Sequence, residues 1–309
     1  MLHPRSFCCG LAVTAFALSA WAAPLQAAVS YVISDSTTGY VFEKAASEKK
    51  LQIGSLTKIA TAMVVLDWQT GTNADLNQLA TVPTSAGTLN TPGGLGLAPG
   101  DRCSLRDLLY AALMQSDNAA SETLADHVGR ALGANAELPP VAAFVQQMNA
   151  LAKAKGMLRT RFLNAHGLDS LERSLPYSTA DDLAKLTAYA MANSAFRFYV
   201  SQKERKITVV TAAGENSYLL RNTNELLGRN SIDGVKTGTT KRAGQCLIIS
   251  AARPPESVQK GDTHLITPRR LNVVVLGSTD RFNEAANLLA RGWQLYDTWA
   301  AAGRPAKAR

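Results

Sequence analysis

Apolar positions are spaced for strands at both ends of this chain and for helices in between. Residues 29–34 (Val-Ser-Tyr-Val-Ile-Ser) and Tyr40–Glu43 read as strands joined by the turn Asp35-Ser-Thr-Thr-Gly39. Ile59–Trp68 is apolar on nearly every face, which at that length predicts a helix buried all round. Residues 83–100 are rich in Gly, Pro and Thr and predict a loop. A helical pattern resumes over Asp101–Gln115, with Ser104 as its N-cap. It continues through Ser121–Leu132, Val141–Lys155 and Thr179–Asn193, with Ser178 or Thr179 capping the last. From Lys206 onward the pattern predicts strands at Ile207–Thr211, Asp233–Thr239, Gln245–Ala251 and Leu271–Gly277. Asp280–Trp299 closes as a helix, and no internal repeat is visible. This order predicts an α+β fold, with one antiparallel sheet built from both termini and a helical lobe inserted. A cleft between two such lobes is a common place for an active site.

The first 28 residues read differently. His3 and Arg5 precede an apolar run over Phe7–Ala23 and the small stretch Gln26-Ala27-Ala28. That is a secretory signal; the alternative, a membrane anchor, would need a longer run. Cleavage after Ala22, Ala27 or Ala28 fits, and no lipobox precedes Cys8 or Cys9. The expectation is a domain over 29–300 and a short basic tail over 301–309, too short for an amphipathic anchor. The protein would be exported, periplasmic and without a stable membrane anchor after cleavage.

Charge narrows the partners. The formal net charge is +8, and Arg5 is the only charged residue in the predicted signal, which leaves +7. A basic exported protein suits an anionic cell-wall environment. No basic stripe with interleaved aromatics occurs, so nucleic acid is not expected. Cys103 and Cys246 remain after the signal and are expected to be buried, unpaired thiols, although an oxidising compartment would allow them to pair. His3, His127, His166 and His264 are scattered, so neither a metal nor another cofactor is expected.

Three motifs carry the chemistry: Ser55-Leu-Thr-Lys58, Ser116-Asp-Asn118 and Lys236-Thr-Gly238. Each is weak alone; their order and spacing give them weight. Ser55 and Lys58 share a helix face. A serine hydroxyl needs a base, and Lys58 can be one only when neutral. Burial beside Ile59 and Met63, plus the charge of Lys236, should lower its pKa. The alternative is a surface lysine reaching water. The Ser55 N–H, unpaired at a helix start, can form half of an oxyanion hole, with the Thr239 N–H as the other half. Ser116 could relay protons, and Asn118 could hold a substrate backbone; alternatively the triplet simply caps the next helix. Gly238 would let another backbone approach, so that an extended substrate lies along this strand and its terminal carboxylate meets Lys236 and Thr237. The alternative for Lys236 is an edge lysine that blocks aggregation.

These residues resemble the low-molecular-mass penicillin-binding proteins of the D-alanyl-D-alanine carboxypeptidase family. The likeness runs from about Ser30 to Tyr296. It includes Ile53–Thr61, Arg161-Phe-Leu-Asn-Ala-His-Gly-Leu-Asp169, Ser178–Ala184, Asn222–Leu227, Ile232–Thr240 and Ala243–Ser250. The resemblance implies a β-lactamase/transpeptidase-like fold and a serine acyl-enzyme formed on peptidoglycan stem peptides ending in D-Ala-D-Ala, with β-lactam antibiotics as inhibitors. It implies Ser55 as the acylated nucleophile, Lys58 as proton acceptor, Ser116 as second catalytic serine and Lys236 as carboxylate binder. Asn118, Thr237, Gly238 and Thr239 complete the expected substrate contacts. Many members carry a further C-terminal β-domain and an amphipathic anchor, for which this chain is too short. Members without them include endopeptidases that cut crosslinks, so both carboxypeptidase and endopeptidase stay open. A β-lactamase would need Glu-x-x-Leu-Asn; the nearest match, Glu172-Arg-Ser-Leu-Pro176, has Pro in place of Asn. A non-catalytic wall-binding module would have no reason to keep Ser55, Lys58, Ser116 and Lys236 together.

Overall fold

The computed structural model describes residues 28–306 except 92, 136, 170–174 and 261. The predicted signal, save its last residue, lies outside the described residues, as do Glu172 of the β-lactamase comparison and the end of the basic tail.

In chain order the elements begin with β1 (Ser30–Asp35) and β2 (Val41–Ala45). A 3-10 turn over Gly54–Leu56 leads into α1 (Thr57–Thr72). Then come β3 (Leu79–Thr81), β4 (Arg102–Ser104), α2 (Leu105–Tyr110), α3 (Asn118–Ala131) and α4 (Pro140–Ala154). They are followed by α5 (Ala180–Ala192), α6 (Ser194–Ser201), β5 (Glu204–Thr211) and β6 (Gly214–Arg221). The chain closes with β7 (Ile232–Thr240), β8 (Gly244–Lys260), β9 (Thr263–Ser278) and α7 (Arg281–Ala301).

Five strands form an antiparallel sheet in the order β2-β1-β9-β8-β7. The first and last thirds of the chain thus meet in one sheet, as their strand patterns predict. The sheet is buried on both faces. Cys246 and Ile248 join the core shared with the helices, while Leu247 and Ile249 pack towards Trp293 and Tyr296 of α7. That is why β8 and β9 read as continuous apolar runs rather than as alternation. The first ten residues of α1, Thr57–Leu66, are all buried, which accounts for its all-round apolar pattern. Each large aliphatic side chain buried there contributes about 1.5–3 kcal/mol.

Several expectations change. A second sheet, β3-β4-β5-β6, was not legible beyond Ile207–Thr211. β3 and β4 have three residues each, too few to show a period. The helix expected from Asp101 starts at Leu105, because Arg102–Ser104 is β4; Ser104 does cap it, accepting from the Asp107 N–H at 3.0 Å. A π-helical turn over Ala111–Gln115 then ends it. α6 is an additional helix, capped by Asn193, which accepts from the Phe196 N–H at 3.0 Å. β8 and β9 run far past their apolar runs as a two-stranded ribbon, where Pro254 and Pro255 hide the strand signal. Thr179 caps α5, and Asp280 caps α7. Cys103 and Cys246 are free and buried.

Candidate active site

Ser55 sits in the 3-10 turn and Lys58 in the first turn of α1, so their side chains share a face. Lys58 is 0% exposed. Its Nζ lies 3.0 Å from Ser55 Oγ, 2.8 Å from Asn118 Oδ1 and 2.7 Å from the His166 carbonyl oxygen. The last two oxygens can only accept. A free amine has two N–H groups for them and a lone pair left for the Ser55 hydroxyl. Burial lowers the Lys58 pKa from 10.5 to about 7, and the Asp117 charge opposes the fall. Burial is the expected cause; the Lys236 charge, also expected, is not among the causes. Burial first, then the charges of Lys58 and Arg281, push the Lys236 pKa itself well below 10.5.

The second motif divides its tasks. Asp117 caps α3: its Oδ1 accepts from the Ala120 N–H at 2.7 Å, and its Oδ2 accepts from the Leu95 N–H at 2.8 Å. It thereby anchors the 83–100 loop, most of which is irregular apart from a short 3-10 turn over Thr84–Thr88. Ser116 has φ of 66°, a left-handed conformation that costs a non-glycine residue on the order of 1–3 kcal/mol. Its hydroxyl makes no hydrogen bond to Ser55 or Lys58 among the described residues. The Asn118 oxygen is committed to Lys58, and its Nδ2 makes only a long 3.4 Å contact to the Leu89 carbonyl. That N–H group remains available to a substrate carbonyl.

β7 is the last strand of its sheet. A side chain at Gly238 would place its Cβ 2.7 Å from the Ile53 carbonyl oxygen. The backbone that Gly238 admits is therefore the Ser55 turn itself, not the substrate alone. The Thr239 backbone nitrogen lies 3.2 Å from where a Cβ on Gly54 would stand. The two N–H groups expected to form an oxyanion hole thus sit on facing backbones. Lys236 is 1% exposed and donates to the Thr237 carbonyl at 3.0 Å. Thr237 shares a 2.7 Å hydroxyl contact with Thr223.

Arg281 was missed by sequence reasoning. It opens α7 and donates from Nη1 to the Gly238 carbonyl at 3.1 Å and to Thr239 Oγ1 at 2.7 Å. One signal was present: a cation in a helix's first turn opposes the helix dipole, and such broken local rules mark functional places.

Residues 160–169 are largely irregular, yet they are tied at almost every position. Asn149 bonds both backbone groups of Phe162, and Thr61 donates to the Ala165 carbonyl at 2.6 Å. Asn164 Oδ1 accepts from His166 N–H at 3.3 Å and Gly167 N–H at 2.6 Å, while its Nδ2 donates to the Leu168 carbonyl at 3.2 Å. Gly167 has φ of 82°, and a Cβ there would stand 2.0 Å from the Gly54 carbonyl oxygen. Asp169 accepts from the Thr240 hydroxyl at 3.0 Å. His166 is neutral, its pKa lowered to about 3 by burial and then by the Lys58 charge. This segment is the clamp that presents a carbonyl to Lys58. Asn164→Ala should lower the acylation rate about tenfold by freeing that carbonyl, with KM changed less than kcat. Asn164→Asp, which keeps the acceptor, should recover part of the loss. Equal rates for the three proteins would rule out Asn164 as a positioning residue.

A family profile described as D-alanyl-D-alanine carboxypeptidase matches residues 18–259. The chain belongs to the D-alanyl-D-alanine carboxypeptidase family. It is 34% identical to the Escherichia coli D-alanyl-D-alanine carboxypeptidase DacC over 89% of this chain and 64% of that protein. It is 33% identical to a Streptomyces D-alanyl-D-alanine carboxypeptidase over 76% of this chain and 80% of that one. A Pseudomonas aeruginosa D-alanyl-D-alanine endopeptidase is also 33% identical, over 73% of this chain and 68% of its own length. The crystal structure of a Streptomyces DD-transpeptidase superposes with a TM-score of 0.73 at 29% identity, covering 87% of this chain and 97% of that one. The fold is therefore that of the DD-peptidases, α+β and β-lactamase/transpeptidase-like. This chain spans just under two thirds of the E. coli relative. Among the described residues no group of three or more His, Cys, Asp or Glu is placed to hold a metal.

Proposed function

We propose that residues 29–300 form a serine-type D-alanyl-D-alanine carboxypeptidase domain acting on peptidoglycan stem peptides and acylated by β-lactam antibiotics. The observation that carries this reading is the 3.0 Å contact between Ser55 Oγ and a wholly buried Lys58 whose other two partners only accept hydrogen bonds. Lys58 takes the Ser55 proton as Oγ attacks the carbonyl carbon of the penultimate D-Ala. The Ser55 and Thr239 N–H groups receive the developing oxyanion. The C–N bond then breaks, and the proton passes from Lys58 through the Ser116 hydroxyl to the leaving D-Ala amine. Water hydrolyses the ester and restores Ser55. Asn118 holds the stem backbone, and Lys236, Thr237 and Gly238 line the strand beside which the substrate lies. Digestion of purified muropeptides tests the reading: the expected product is a stem peptide shortened by one D-Ala, detected by mass. An unchanged stem peptide would overturn it. Endopeptidase cleavage of crosslinks is the second reading, favoured by the 33% identity to the P. aeruginosa enzyme.

Lys236 is assigned the substrate carboxylate. Burial is the first cause lowering its pKa, and an arriving carboxylate would favour the charged form. A charge-assisted contact of about 1.5–3 kcal/mol corresponds to roughly 10- to 200-fold. Lys236→Ala should lower kcat/KM by that factor for free-acid stem peptides. A substrate amidated at the terminus should lose little further in the variant. Equal losses for both substrates would place Lys236 in another role.

Export to the periplasm is part of the same proposal, supported by the composition of residues 1–28. No helix among the described residues is long and apolar enough to cross a membrane.

A further inference from the structure

Residues 222–224 follow β6 and bridge the turn before Ser116 to the strand that carries Lys236. The two asparagines fix the backbone on either side of Thr223. Asn222 Nδ2 donates to the Val200 carbonyl at 3.1 Å and to the Gln202 carbonyl at 2.9 Å. Asn224 Nδ2 donates to the Gly234 carbonyl at 3.0 Å, and its Oδ1 accepts from the Leu226 N–H at 3.2 Å. Thr223 is thereby held between two motifs. Its N–H donates at 2.9 Å to the carbonyl of Met114, which closely precedes Ser116. Its hydroxyl stands 3.2 Å from that same carbonyl and 2.7 Å from the Thr237 hydroxyl.

Each hydroxyl has one hydrogen to give. The Met114 carbonyl already accepts the Thr223 N–H, and a separation of 3.2 Å is long for a bond donated by a hydroxyl. The 2.7 Å contact with Thr237 has the most common length for such a bond. The Thr223 hydrogen therefore points at Thr237 Oγ1, and the Thr237 hydrogen is left for a third group. Lys236 Nζ reaches the Thr237 carbonyl at 3.0 Å, so an acceptor arriving at this strand meets the amine and the hydroxyl together.

We infer that Thr223 is a positioning residue of the carboxylate site: its hydroxyl donates to Thr237 and so turns the Thr237 hydrogen towards the terminal carboxylate of the substrate. The inference rests on the acyl-transfer reading above, in which Thr237 and Lys236 meet that carboxylate. A carboxylate only accepts, so Thr237 must donate to it and accept from elsewhere. Thr223 is the donor at hand, at 2.7 Å. In the chain from Thr223 through Thr237 to the carboxylate, each bond polarises the next, which strengthens the last. No proton changes owner; each hydrogen stays on its own oxygen. The backbone bond from Thr223 to Met114 is a separate task, because a change of side chain leaves that N–H in place.

The experiment is a double-mutant cycle on a free-acid stem pentapeptide, with the wild type, Thr223→Val, Thr237→Val and the protein carrying both changes. Thr223→Val keeps the shape and the Met114 backbone bond and removes only the hydroxyl. It should lower kcat/KM about fivefold, the size of one neutral hydrogen bond, with most of the change in KM. With Val already at 237 the same change should cost less than twofold, because the group through which Thr223 acts is gone. Thr223→Ser, which keeps the donor, should stay within twofold of the wild type. An unchanged rate in Thr223→Val, a loss equally large in both backgrounds, or a Thr223→Ser protein as slow as Thr223→Val would overturn the assignment. Thermal unfolding followed by circular dichroism checks each fold, and Thr223→Ala takes the same place in the cycle if the valine protein does not fold. Failure of the underlying reading looks different: the wild type leaves the pentapeptide uncut and penicillin leaves no adduct.

Discussion

Ser55→Ala protein is expected to carry no covalent penicillin and to leave stem peptides uncut. The hydroxyl at this position is the one that meets the Lys58 amine, at 3.0 Å, and it sits on the turn that Gly238 brings against β7. The other thiol candidates are poor substitutes. Cys103 and Cys246 are buried, with pKa values pushed up to about 12 and about 11, chiefly by desolvation. A thiol held protonated is a weak nucleophile. Removing the nucleophile of such a unit costs on the order of 10⁴- to 10⁶-fold in rate. Mass spectrometry of the intact protein after incubation with penicillin gives the answer directly. A persistent adduct on the variant would show that another residue is acylated.

The pH dependence of acylation carries the second large effect. In the proposed mechanism Lys58 acts as a free amine, and burial places its pKa at about 7 instead of 10.5. Below that value the amine is protonated, so the acylation rate should fall tenfold for each pH unit; above it the rate should level off. At neutral pH the shift raises the neutral fraction roughly a thousandfold over an ordinary lysine. Lys58→Arg should therefore lose acylation by a factor on the order of 10³, since a guanidinium stays protonated and offers no lone pair. Stopped-flow labelling with a chromogenic cephalosporin between pH 5 and about 9 measures both. An inflection above about pH 9, or near-wild-type acylation by Lys58→Arg, would exclude Lys58 as the base.

The Ser55–Lys58 contact was legible because it is local: the two residues lie within one helical turn, where sequence spacing fixes geometry. Asn118 and Gly238 were legible as types, but their contacts were not. Asn118 points its oxygen at Lys58 rather than offering the whole amide to substrate, and Gly238 makes room for the Ser55 turn. Arg281 reaches Thr239 across 42 residues of chain, and the His166 carbonyl that the Asn164 turn presents reaches Lys58 across 108, distances over which no period or spacing connects the partners.

By itself the sequence determined the α+β class, the sheet shared between the two ends, the buried α1 and the order of the three motifs. Those features follow from side-chain periodicity and from residue chemistry at short range, which any stretch of chain displays without its partners. Tertiary structure alone decided the second sheet, the long β8–β9 ribbon and the electrostatics of the site. The Lys58 pKa falls to about 7 because α1, α3 and the 160–169 clamp together exclude water from its amine. Desolvation depends on every atom packed around a charge, and that packing exists only once distant segments have met.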